Sequence, residues 1–167
     1  AGVRVGNAVW VYGGFHGGML SDHLLELWPG DWSWRRRYAP GPPPTVLHTM
    51  VAYFQQVVLF GGLVQSEKAS MATGQLWLLD TTQCTWASPA TQGEPPSARI
   101  GHAAALAHRD DGTAQMFVYG GYATEPRECA TPRQPPPPRP VLVLLLLTHP
   151  PRCSNAPCPF HRRRNQV

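Results

Sequence analysis

Gln56 to Trp86 reads QVVLFGGLVQSEKASMATGQLWLLDTTQCTW, and this stretch decides the fold. A short apolar run, Val57-Val58-Leu59-Phe60, stops on Gly61-Gly62. After a polar loop a second run follows, Leu76-Trp77-Leu78-Leu79-Asp80, and then an isolated Trp86. Working outward, the phrase recurs on both sides. Val9-Trp10-Val11-Tyr12-Gly13-Gly14 leads to Leu24-Leu25-Glu26-Leu27 and Trp34, while Met116-Phe117-Val118-Tyr119-Gly120-Gly121 opens it a third time. The glycine pairs fall 48 and then 59 residues apart, and the two tryptophans 52 apart, each seven residues beyond the last Leu of its run. Self-similarity at such a period marks stacked supersecondary units.

Four-residue apolar runs rich in Val, Trp, Tyr and Phe are too short for helices and favour strands. In the first unit, strands are predicted at Val9–Tyr12, His23–Trp28 and Trp32–Tyr38, with a loop over Phe15–Asp22 and a turn at Pro29-Gly30-Asp31. Arg35-Arg36-Arg37 is read as a solvated edge that discourages pairing with other chains. Pro40-Gly41-Pro42-Pro43-Pro44 is a stiff linker, because Pro fixes φ and offers no ladder donor. The second unit predicts strands at Leu47–Tyr53, Val57–Phe60, Gln75–Asp80 and Thr85–Ser88, with a loop over Leu63–Gly74. Gln92-Gly93-Glu94-Pro95-Pro96 repeats the linker. The third unit predicts Arg99–Leu106, a turn at Asp110-Asp111-Gly112, and Gln115–Tyr119 running into the last glycine pair.

Composition changes after about Glu125. Ten of the 19 Pro lie in residues 131–167, which carry six Arg and no acid, whereas residues 1–130 carry eight Arg/Lys and ten Asp/Glu. The basic balance belongs to the tail, and the repeated part has no electrostatic footprint for nucleic acid. Val141–Leu147 is unbroken apolar sequence, but a bilayer span takes about 20 such residues, so no transmembrane segment is expected. Cys84, Cys129, Cys153 and Cys158 form no dense disulfide framework. The start, Ala-Gly-Val-Arg, has neither Met nor a signal pattern, and the expectation is a segment of something longer. The domain reading is a repeated segment over 1–124, with units at about 1–39, 40–91 and a truncated 92–124. A Pro/Arg-rich low-complexity tail over 125–167 is expected to be disordered.

Residues 7–122 resemble kelch repeats. The resemblance rests on the three apolar-Gly-Gly phrases, the downstream Leu runs with Trp34 and Trp86, and the Pro-rich lead-ins ending at His48 and His102. Arg99 matches the family's lead-in Arg, whereas the Pro44-to-His48 stretch is shorter and has none. The resemblance implies an all-β fold, an incomplete kelch-type β-propeller of about two and a half four-stranded antiparallel blades. Gly13, Gly14, Gly61, Gly62, Gly120, Gly121, Trp34, Trp86, Arg99, His48 and His102 are then its structural repeat motif. The paired glycines allow positive φ and close backbone approach, and the lone tryptophans pack between blades. Propellers close with ~4–8 blades, so this chain alone leaves apolar faces and strand edges uncovered, and poor solubility or partial folding is expected of it in isolation.

The chemistry predicted from these residues is binding rather than catalysis. His48 and His102 occupy equivalent repeat positions, as structural packing requires, and His16, His23 and His108 lack ligand spacing. Cys153, Cys158 and His161 lack a fourth ligand, and no cofactor is expected. Some kelch-like propellers are copper oxidases of the galactose oxidase type, which is the alternative reading. Tyr12, Tyr53, Tyr119 and Tyr122 are read instead as packing residues, and no Ser-His-Asp arrangement, phosphate loop or HExxH occurs. The favoured function is a protein–protein interaction scaffold within a larger adaptor or an attractin- or muskelin-like receptor protein, intracellular or extracellular. Loops after the glycine pairs should emerge together, so Phe15, His16, Gln65, Ser66, Glu67, Lys68 and Tyr122 are its candidate partner contacts. Pro135–Pro138 has the composition of an SH3 or WW ligand, though low complexity explains it more simply.

Overall fold

The computed structural model describes residues 1–66, 69–91, 95–108, 110 and 113–123, and the backbone of 141–143. Every regular element among them is a strand. Sheet 1 is an antiparallel meander of β1 (Gly2–Val5), β2 (Ala8–Tyr12), β5 (Leu24–Trp28) and β6 (Ser33–Arg37), with a small hairpin of β3 (Phe15–His16) and β4 (Met19–Leu20) between its middle strands. The lead-in strand β7 (Thr45–Val46) precedes sheet 2, which consists of β8 (Thr49–Tyr53), β9 (Gln56–Phe60), β12 (Leu76–Asp80) and β13 (Thr85–Ala87). A second hairpin, β10 (Leu63–Gln65) and β11 (Ser70–Ala72), pairs through β10 with β7. Sheet 3 joins β14 (Ile100–His108), β15 (Ala114–Tyr122) and β16 (Val141–Val143).

The registers show that the repeats are structural as well as textual. Leu24 faces Tyr12 and Leu27 faces Val9 in sheet 1, as Leu76 faces Phe60 and Leu79 faces Val57 in sheet 2. Trp34 faces Leu27, and Trp86 faces Leu79. The first strands β1, β8 and β14 lie successively against one another, so the sheets stack face to face around their inner edges.

That stacking explains the unbroken apolar run. Alternate residues of a strand point to opposite faces. Val57 and Leu59 therefore join Trp10, Tyr12 and Leu24 between sheets 1 and 2, while Val58 and Phe60 join Met116 and Val118 between sheets 2 and 3. Both faces of sheet 2 are covered, and all four residues are buried.

The structure departs from the sequence reading in several places. Sheet 1 has a fourth strand, Gly2–Val5, so it is a complete four-stranded unit rather than most of one. GVRV has too little apolar alternation to announce a strand, and it forms through ladder bonds to β2. The loops over Phe15–Asp22 and Leu63–Gly74 contain hairpins. Strand β15 runs through Gly120-Gly121 to Tyr122, where a loop was expected. Val141–Val143, inside the stretch expected to be disordered, pair with Met116–Val118 in the place β5 and β12 hold in the other sheets. The rest of the tail reading and the 92–94 linker, like residues 111 and 112 of the third turn, lie outside the described residues. The arginine run is not simply a solvated edge. Arg37 bonds the buried Glu26 carboxylate at 2.5 and 2.8 Å, and Arg35 lies 5.4 Å over the Trp28 ring.

Candidate functional site

The end of each sheet at its glycine pair is built the same way. Gly13 N–H donates to His23 O in its own sheet, and Gly14 N–H donates to Thr45 O of the following lead-in, both at 3.1 Å. One repeat later Gly61 N–H donates to Gln75 O at 3.1 Å and Gly62 N–H to Arg99 O at 3.0 Å. The loop bases complete each junction: Thr45 N–H donates to Ser21 O and Arg99 N–H to Thr73 O, each at 3.3 Å.

Crowding makes the glycine obligatory at the first position of a covered pair. A Cβ on Gly61 would lie 2.7 Å from His102 Cε1 and 2.8 Å from Arg99 O, and its φ of 67° is already disfavoured for L side chains. Gly13 stands in the same relation to Thr45 O and His48. Gly62 and Gly121 are crowded instead by their own unit's lead-in, through Thr45 and His48 or Ile100 and His102. Gly120 and Gly14 have no neighbour within 4 Å of such a Cβ: among the described residues no following lead-in is present beside Gly120, and no lead-in of its own unit beside Gly14.

His48 and His102 are the buried pegs of these junctions. Thr49 Oγ1 lies 2.8 Å from His102 Nε2, and the Ala1 amino group, at the position equivalent to Thr49, lies 3.4 Å from His48 Nε2. Burial pushes the His48 pKa down to about 3, with the terminal ammonium and His102 adding to the effect. Burial and then Arg99 push His102 down as well. Both rings are therefore neutral packing groups at ordinary pH. Arg99 donates to Gly120 O at 3.0 Å and to Ser97 O and Oγ, tying the third lead-in to the last glycine pair. The shorter second lead-in lacks such an arginine; there Thr45 Oγ1 donates to Leu63 O at 3.0 Å.

The two tryptophans share a register position and differ in surroundings. Trp86 packs edge-on to Tyr12, with ring centroids 5.2 Å apart, and lies against Gly41 of the linker. Tyr12 donates its hydroxyl to Pro42 O at 2.5 Å, and burial, with Asp22 adding to it, pushes its pKa up. Trp34 is 57% exposed, and no sheet among the described residues covers its face.

Of the candidate contact residues, Phe15 and His16 lie in β3, Gln65 in β10, Ser66 in the following turn, and Tyr122 at the end of β15. Glu67 and Lys68 lie outside the described residues. Both hairpins leave from the glycine-pair end of their sheets and are anchored at their bases by the junction bonds. Reading residues by repeat position missed Met19 and Leu47, which are exposed at the same end; Met19, at 71%, is opposite His16 in the hairpin that also carries Phe15, exposed at 67%. The signal available for Leu47 was its place before His48, where Gly101 stands one repeat on. Leu47 has φ 58° and Gly101 φ 63°.

Among the described residues, no group of three His, Cys, Asp or Glu is placed to hold a metal ion. Tyr12 and Tyr53 are buried in the intersheet cores, while Tyr119 and Tyr122 are exposed. A cleft of about 230 Å³ lies beside the first junction, lined by residues including Tyr12, His23, Arg37 and Pro42. No helix among the described residues is long and apolar enough to cross a membrane.

Comparison with known proteins agrees with this architecture. The KLHDC2/KLHL20/DRC7 Kelch-repeats domain matches residues 1–132. The Rab9 effector protein with kelch motifs from Xenopus laevis is 33% identical over 120 residues, covering 69% of this chain and 31% of that protein. Its Homo sapiens counterpart is 33% identical over 118 residues, 69% of this chain and 30% of the relative. Host cell factor from Drosophila melanogaster is 29% identical over 99 residues, 56% of this chain and 6% of the relative. The chain thus spans under a third of these relatives. With its repeated junctions, registers and stacked sheets, the chain belongs to the kelch-repeat family.

Proposed function

We propose that this chain is a protein-interaction module that binds a protein partner through the hairpins at the glycine-pair end of its sheets. The observation that carries this reading is the exposure of Phe15 and Met19 on a hairpin whose base is held by ladder and junction bonds. Rigidly held apolar side chains in loops lose little conformational freedom on binding. The segment from Phe15 to Ser21 contains no Asp, Glu, Lys or Arg, so the fitting partner is a folded protein presenting an uncharged apolar patch. Met71 and Leu47, exposed at the same end, extend the surface. The description of two relatives as Rab9 effectors supports a protein rather than a small-molecule partner. A scaffold role within a larger adaptor or receptor is the corresponding wider reading.

The test is a double substitution, Phe15→Ser with Met19→Ser, in the full chain. A partner first recovered by proximity labelling is purified and titrated against both forms. Loss of about 2 kcal/mol or more of binding energy, with an unchanged circular dichroism spectrum, is expected if these are central contacts. Unchanged affinity would reduce the hairpin to a plain connector.

A further inference from the structure

We propose that the free edge of β6 is a second docking site, separate from the hairpin surface, which takes an extended acidic segment of a protein partner as a further strand of sheet 1. β6 is the last strand of its sheet, and among the described residues nothing pairs with its outer edge. Backbone groups alternate in direction along an antiparallel strand. Gly13 N–H donates to His23 O, so Leu25 and Leu27 turn their groups toward β2, while Leu24, Glu26 and Trp28 turn theirs toward β6. Arg37, Arg35 and Ser33 face these three across the ladder, and Trp34 and Arg36 therefore hold N–H and C=O groups outward. A strand laid alongside can exchange hydrogen bonds with both.

Sheet 2 shows that the fold does not call for such an edge. Trp34 matches Trp86, so Arg35, Arg36 and Arg37 match Ala87, Ser88 and Pro89. Pro89 has no N–H for the Leu76 carbonyl, and the Ser88 hydroxyl donates to it instead at 3.2 Å. The strand β13 ends at Ala87 with a short, uncharged edge, whereas β6 runs on to Arg37. Ala87 and Ser88 are exposed although both faces of sheet 2 are covered, so these rim positions stay open when neighbouring sheets are in place. The site on β6 thus does not depend on which units flank sheet 1.

Charge selects the occupant. Arg37 is bound to Glu26, but Arg35 and Arg36 are exposed and form no ion pair among the described residues. Asp31, near Arg35, already accepts the Ser33 N–H at 3.0 Å. Arg35 and Arg36 point to opposite faces of the strand, so consecutive acids on an added strand meet both. A second copy of β6 would set arginine against arginine, and residues 131–167 carry six Arg and no acid. Self-pairing is thereby repelled while an acidic segment is attracted. A nucleic acid matches the charge but not the outward donors and acceptors of Trp34 and Arg36.

The test is fluorescence anisotropy of the full chain with a labelled peptide, Thr-Val-Glu-Glu-Glu-Val-Thr. It should bind at least about tenfold more tightly than the same peptide with Lys in place of Glu. Methylating the Glu backbone nitrogens removes ladder donors and keeps the charge, and should weaken binding by about tenfold or more. Arg35→Ala with Arg36→Ser installs the residues of sheet 2 and should also weaken it at least about tenfold, with an unchanged circular dichroism spectrum. If that variant does not fold, the peptide comparisons on the wild-type chain decide alone. No binding of the Glu peptide, equal binding of the Lys or methylated peptide, unchanged affinity of the folded variant, or tighter binding of an oligothymidylate would each overturn the proposal.

Discussion

Trp86 and Trp34 hold the same register position in successive sheets, yet one is wedged against Tyr12 and the Pro-Gly linker while the other stands in solvent. Among the described residues the same contrast separates sheet 2, covered on both faces, from sheets 1 and 3, each covered on one. In a stacked-sheet protein, a repeated residue thus acquires its energetic weight from the neighbour it meets rather than from its place in the motif. Nearest-neighbour interfaces carry much of the stability in such an architecture.

Paired substitutions at equivalent positions can break or sharpen this contrast, measured by urea unfolding at concentrations low enough to keep chains apart. Phe60→Ala should have the largest effect, about 3–5 kcal/mol, because it empties a filled site between sheets 2 and 3. Tyr119→Ala, its counterpart in sheet 3, should cost less than about 1 kcal/mol. Equal losses would mean that the outer face of sheet 3 is not free.

The glycine pairs come next. Gly61→Ala should cost about 2–4 kcal/mol, adding the clash with Arg99 O and His102 to the left-handed backbone penalty. Gly120→Ala at nearly the same φ meets no neighbour and should cost only the backbone penalty, about 1–2 kcal/mol.

The last test concerns pH. His48 is neutral when folded, with its pKa near 3, against 6.5 in the unfolded chain. The unfolded state then binds more protons throughout this window, so stability falls as pH drops below about 6.5. The loss from this residue should reach about 2 kcal/mol by pH 5, where the folded ring is still neutral. His48→Gln should flatten the unfolding profile over that range; an unchanged slope would show that the ring titrates normally when folded.

Much of the framework was readable from the residues. Val57–Phe60 before Gly61-Gly62, and Leu76–Asp80 before Trp86, carry enough local pattern to identify strands and their order. Positions that depend on a distant partner were not readable. Gly2–Val5 becomes a strand because β2 offers it an edge, and Arg37 is held because the buried Glu26 lies diagonally from it on the neighbouring strand β5. Val141–Val143 take the third-strand slot far along the chain from their partner β15, a pairing no local signal announces. In the candidate site, Phe15 was visible as a loop residue after a glycine pair. Met19 and Leu47 were not, since their exposure follows from how the hairpin and lead-in fold.

By itself, the sequence determined the repeat, the strand type, the equivalence of His48 with His102 and of Trp34 with Trp86, and the kelch family. Those follow from residue chemistry and spacing, which are local. Only the tertiary structure decided which member of each equivalent pair is buried, which glycine is crowded, and which faces stand open. Those outcomes depend on whether another sheet is present across the interface.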